Sequence, residues 1–112
     1  MKKIEVSIRP HRVDAVIAEL CRAGVPGLTA TEVRGFRRGV SEHIAYRGLE
    51  QEIDLLPRMK LEIVAHDELV ERFVARLLES APGARADREE IWILPVVSAV
   101  RIRTGEIDEA AL

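Results

Sequence analysis

With 112 residues, 47% of them hydrophobic and 32% charged, the chain is long enough to bury one core and too short for a second. Seventeen Lys and Arg against nineteen Asp and Glu give a formal net charge of −2. That balance argues against nucleic-acid binding by overall charge, which needs a basic surface to neutralise phosphates. Only 4% of residues are aromatic, too few for a base-stacking platform, and the single cysteine, Cys21, has no partner for an intramolecular disulfide.

In chain order, the Met1-Lys2-Lys3 opening leads into no apolar signal region, and no apolar run approaches membrane-spanning length. A cytoplasmic protein without membrane insertion is expected. From Lys3 to Arg9 the pattern alternates: Ile4, Val6 and Ile8 are apolar, with charged or polar residues between them. Period two means a strand with one buried face, and Pro10, lacking an N–H, stops it. Val13, Val16, Ile17, Leu20 and Cys21 follow at helical spacing, and Gly24 closes that helix. Leu28 to Phe36 is the next strand candidate.

The same order is then repeated. Met59, Leu61 and Ile63 alternate with Lys60 and Glu62 in a strand; Asp67 is the expected helix N-cap; Leu69, Val70, Phe73, Val74, Leu77 and Leu78 form an apolar stripe. Ile91 to Val97, a nearly continuous apolar run, is the last core strand expected. Two strand–helix–strand units predict an α+β, ferredoxin-like βαββαβ domain, two helices on an antiparallel sheet. The helices cover one face, and the other is expected to expose apolar side chains unless another copy packs on it. A monomer with a polar open face is the rival reading. About twenty residues between Phe36 and Pro57 exceed an ordinary hairpin link, a length typical of functional loops. Ala81 to Glu90 joins the second helix to the last strand.

These residues resemble the PII signal-transduction family of nitrogen regulators over essentially the whole chain. Met1-Lys2-Lys3-Ile4-Glu5 with the Arg9-Pro10 corner is similar to its first strand and turn, and Gly27-Leu28-Thr29 through Glu32-Val33-Arg34-Gly35-Phe36 to its second strand. Tyr46-Arg47-Gly48 resembles its mid-loop motif, and Leu56-Pro57 with Lys60-Leu61-Glu62-Ile63-Val64 its third strand. Val100-Arg101-Ile102-Arg103-Thr104-Gly105-Glu106 resembles its terminal motif. The resemblance implies a homotrimer with adenine nucleotide (ADP, ATP or AMP) held in clefts between subunits. It also implies a protruding T-loop, about residues 37–55, that acts on a partner transporter or metabolic enzyme, with Tyr46, Arg47 and Gln51 as partner contacts. A B-loop falls at about 82–90 and a C-terminal segment at 98–112. The nucleotide residues it implies are Thr29, Gly35, Arg38, Val64, Arg101 and Arg103. Because Arg101 and Arg103 flank Ile102, period two would aim both guanidinium groups to one side, where they can hold phosphate oxygens.

The sequence departs from the family pattern at four places. The family's glycine-rich B-loop ends in a lysine; here the stretch reads Gly83-Ala84-Arg85-Ala86-Asp87-Arg88-Glu89-Glu90, with Glu90 at the lysine position. A carboxylate there repels a polyanion that an ammonium would attract. Gly39 stands where a glutamine helps hold Mg²⁺ and 2-oxoglutarate, and Arg58 where a lysine meets the 2-oxoglutarate carboxylate, which argues against a 2-oxoglutarate–Mg site. Gln51 falls at the uridylylated tyrosine and offers no phenolic hydroxyl, and Arg37 replaces a glycine at the loop root.

His11, His43 and His66 are widely separated and make no ligand motif in one chain, so no metal site is expected. Glu50, Glu52, Asp54 and Glu62 supply carboxylates without a nucleophile–base pair or an intact phosphate loop, so the chain is read as no enzyme. Two readings remain: a PII-like regulator that binds a nucleotide or similar anion, and a ligand-independent trimeric interaction module whose nucleotide site has decayed.

Overall fold

Strand β1 spans Lys2–Ile8, with Ile4, Val6 and Ile8 buried between half-exposed neighbours. The computed structural model describes residues 1–36, 55–80 and 89–112. Pro10 opens a short 3-10 turn, Pro10–Arg12, which runs directly into helix α1, Val13–Arg22. That helix ends as its sequence foretells. Gly24 takes φ +94°, its N–H reaches the Cys21 carbonyl at 3.0 Å, and the Val25 N–H reaches Leu20 at 3.1 Å. These are the two bonds of a Schellman motif, and the left-handed conformation at its centre favours glycine.

Strand β2 (Thr29–Gly35), strand β3 (Leu56–Ala65), helix α2 (Asp67–Glu79) and strand β4 (Ile91–Pro95) complete the unit. The sheet order is β2-β3-β1-β4, antiparallel throughout, with Ile4 opposite both Ile63 and Ile93. This is the ferredoxin-like βαββαβ arrangement. β3 begins earlier than its alternation suggested, because Leu56 to Arg58 lie beyond the last β1 pair, Ile8 with Met59, and pair with β2 alone. Asp67 is not the N-cap: His66 holds that position, and Asp67, as the first helical residue, pairs with the Met1 ammonium at 2.9 Å. A carboxylate in the first turn also complements the helix dipole.

The core lies between the helices and one sheet face. Ile4, Val6, Ile8, Leu61 and Ile63 meet Val16 and Leu20 of α1 and Val70, Phe73 and Leu77 of α2; Phe73 is fully buried. The opposite face meets the expectation only in part. Its centre is polar: Lys3 Nζ lies 2.9 Å from Glu5 and 3.1 Å from Glu62, and Lys60 lies 3.5 Å from Glu62. The bonds to Glu5 and Glu62 raise the Lys3 pKa, and the bond from Lys3 lowers that of Glu62. Exposed apolar side chains flank that centre on the same face along β4, where Trp92 and Leu94 stand opposite Glu5 and Lys3, and continue on the segment after it. Trp92 is 57% exposed, Val97 94% and Ile102 99%. The apolar run at 91–97 is therefore not a core strand. β4 pairs only with β1, and within it all but Ile91 are exposed. Among the described residues no helix is long and apolar enough to cross a membrane.

Candidate functional site

Thr29 is the first residue of β2 and faces the open side opposite Glu62; Val64, two residues further along β3, is half-buried opposite Lys3. Cross-strand diagonal neighbours of this kind lie about 7–8 Å apart. Gly35, at the other end of β2, is paired with Leu56. Six residue steps along the strand separate it from Thr29, about 20 Å at the usual rise. Thr29 and Val64 thus come together, while Gly35 belongs to the opposite end of the sheet. A Cβ built at Gly35 would meet nothing within 4 Å. Arg38, Tyr46, Arg47 and Gln51 lie outside the described residues, as do Arg37, Gly39, His43 and residues 82–88 of the B-loop.

Arg101 and Arg103 sit in a hairpin, so the period-two argument for them does not hold. Val100 bridges Ile107, the Arg101 N–H donates to Glu106 at 2.9 Å, and residues 102–104 form the turn, with Gly105 at φ +76°. Alternation requires extended backbone, and a turn rotates successive side chains differently. The Arg101 guanidinium donates through Nε and Nη2 to the Ala111 carbonyl at 3.2 and 3.1 Å. Of its five N–H donors, three stay available for an oxyanion. Asp108, at φ 52°, closes the hairpin base: its N–H donates to the Ala99 carbonyl at 2.7 Å and its Oδ1 accepts from the Ala99 N–H at 3.2 Å. Among the described residues, no hydrogen bond or ion pair joins Arg101 or Arg103 to Thr29, Gly35 or Val64.

Two features at the loop roots escape sequence reasoning. Arg58 is 9% exposed and has no hydrogen-bond or ion-pair partner among the described residues. It lines a cleft of about 440 Å³ with Pro10, Glu32, Val33, Arg34, Pro57 and Met59, where β2 and β3 project past β1. Its parity matches exposed-type positions such as Lys60 and Glu62, so no periodicity signals its burial. The second is an ion pair between Arg12 and Glu89, whose side chains are 12% and 7% exposed. The two are 77 residues apart, a separation that offers no local pattern. Arg12 also donates to the Ser80 carbonyl at 3.0 Å. His11 is exposed beside Arg12, and among the described residues no group of three His, Cys, Asp or Glu side chains is arranged to hold a metal ion.

A four-stranded antiparallel sheet backed by two helices, with charged groups at the loop roots and an open apolar edge, defines a small α+β domain of the ferredoxin-like class. The family model described as "Nitrogen regulatory protein P-II" matches residues 1–106. The chain is 43% identical to "Nitrogen regulatory protein P-II" of Haemophilus influenzae, and 39% identical to "Nitrogen regulatory protein P-II 1" of Escherichia coli and "Nitrogen regulatory protein P-II" of Klebsiella oxytoca. Each comparison covers all of both chains. The chain belongs to the nitrogen regulatory protein P-II family.

Proposed function

We propose that the protein is a trimeric cytoplasmic regulator that binds an adenine nucleotide between neighbouring chains and acts on a transporter or metabolic enzyme through residues 37–55. One observation carries the reading: the candidate residues of a single chain fall into two groups about 20 Å apart along β2, too far for one small ligand to touch both. Thr29 and Val64 stand at one end and Gly35 at the other. A cleft between two copies brings opposite ends together, so each chain contributes half of each site. The exposed apolar side chains of β4 and the hairpin, Trp92, Val97, Val100, Ile102 and Ile107, supply surface that a neighbouring copy would cover. Arg101 then meets the ligand phosphates with its guanidinium already oriented by Ala111.

The ligand-independent module stays as the second reading because Glu90 stands at the position where the family carries a lysine. Titration calorimetry with ATP, ADP and AMP separates the two. Under the first reading Arg101→Ala and Arg103→Ala each weaken binding by roughly 1.5–3 kcal/mol, the range for charge-assisted hydrogen bonds. Unchanged affinity in both variants would put the ligand elsewhere, and no binding by the wild type would leave the interaction module. Adding 2-oxoglutarate and Mg²⁺ is expected to tighten binding little, given Gly39.

A further inference from the structure

Among the described residues Arg58 is the one charged residue that the fold buries, and no hydrogen-bond or ion-pair acceptor meets its guanidinium. Its place in the sheet accounts for the burial. β1 ends at Ile8, opposite Met59, so at Arg58 strand β3 has β2 on one side and no strand on the other. Pro10 starts the turn that follows β1, and the space beside it is the cleft of about 440 Å³. Apolar walls are formed by Pro10, Val33, Pro57 and Met59. The charged groups are Arg58, Arg34 and Glu32, which leaves one positive charge in excess. Arg34 and Glu32 are exposed on β2 and form no ion pair with each other or with Arg58. A buried donor group without a partner is rare in folded chains and calls for a reason. Packing supplies none here, because an unbranched apolar side chain fills similar space without the cost of desolvating a charge.

We infer that this cleft binds a small organic carboxylate, its charged end on the Arg58 guanidinium and its hydrocarbon stem against Pro10, Val33, Pro57 and Met59. Three features select that chemistry. A guanidinium matches the planar carboxylate with two parallel hydrogen bonds, and such bonds are strongest where water is scarce. One positive charge in excess suits a monoanion, whereas a second negative charge would meet the Glu32 carboxylate. The apolar walls favour a ligand with a stem to bury over a bare inorganic oxyanion. Arg34, exposed at the same cleft, draws anions toward it. Unlike a metal–nucleotide chelate of 2-oxoglutarate, this seat needs neither magnesium nor nucleotide. It therefore goes beyond the nucleotide reading and does not rest on it.

The test uses the full chain in EDTA, without nucleotide and at an ionic strength fixed with chloride. Calorimetry and thermal melts are run with acetate, butyrate and inorganic phosphate. Butyrate is expected to bind about tenfold more tightly than acetate, because each buried methylene adds roughly a factor of four. It should also raise the melting temperature. Arg58→Met should weaken butyrate binding by about tenfold or more and abolish that thermal shift, while the variant alone melts higher than the wild type. Arg58→Lys keeps the charge without the fork and should lose affinity by about threefold or more. Glu32→Gln, at an exposed position, should tighten binding by about twofold; these two variants carry the test if Arg58→Met does not fold. A guanidinium with only a structural role gives neither heat nor a thermal shift with butyrate in the wild type, which overturns the inference. Equal affinity for acetate and butyrate overturns it too, as does wild-type affinity in the Arg58 variants or a requirement for Mg²⁺ and ATP. Phosphate binding more tightly than butyrate overturns the assignment to a carboxylate. None of these outcomes touches the nucleotide reading, which is measured with no carboxylate added.

Discussion

Replacing Arg58 with methionine should stabilise the protein. Arg58 is 9% exposed and lacks a hydrogen-bond or ion-pair partner among the described residues, beside Val33 across the β2–β3 ladder. Leaving a buried donor unsatisfied costs about 1–3 kcal/mol, and more for a charged group. The residual exposure and the adjoining cleft of about 440 Å³ admit water to part of the guanidinium, which brings the gain toward the low end, about 1 kcal/mol. Methionine keeps an unbranched stem of similar length and adapts to irregular space, so little packing is lost. For a chain of this size that gain raises the melting temperature by roughly 4 °C. Urea unfolding at fixed protein concentration and without added anions measures it, with an unchanged m-value as the sign that the denatured state is unaltered. A loss of about 1 kcal/mol or more would refute the reasoning, because it would mean that the guanidinium is paired in the solution assembly.

Asp67 supplies a pH test. A hydrogen bond from the Met1 ammonium holds its pKa below the ordinary 3.8. A lowered carboxylate contributes stability that is present above the unfolded value and lost as pH falls through the folded one. Asp67→Asn should therefore flatten the decline of melting temperature below about pH 4, and an unchanged acid slope would show that the ammonium pair is not kept in solution. Light scattering should give about three times the 12.5 kDa chain mass, since the apolar edge at β4 needs cover; a monomer at micromolar concentration would sink the inter-chain cleft.

Much of the fold was legible because its signals are local. Alternation in 4–8 and 59–63, helical spacing in 13–21 and 69–78, and Gly24 as a helix stop each follow from the geometry of one element. The end of β2 and the helix α1 terminus fell within a residue or two of the sequence reading. Errors arose where a residue's role depends on something distant. Asp67 looked like an N-cap because caps are read from neighbours, yet its partner is the chain terminus, 66 positions away. The run at 91–97 looked like core because apolar composition does not distinguish an inner strand from an edge. The arginines of the terminal motif looked like strand residues because turn geometry at 102–104 is stabilised by Gly105, Asp108 and bonds across the hairpin.

By itself the sequence determined the element types, their order, the family and the centre of each helix's buried face, because periodicity and motif residues act over a few positions. Cys21 and Leu78, at the margins of the two stripes, are exposed. Tertiary structure alone decided that the open sheet face is ion-paired at its centre, that the apolar surplus lies on β4 and the hairpin, and that Thr29 and Gly35 occupy opposite ends of the sheet. It also decided that Arg12 meets Glu89. Burial and pairing depend on which distant segments share a neighbourhood, and strand order sets that neighbourhood: β1 must lie between β3 and β4 before residues 12, 80 and 89 can converge.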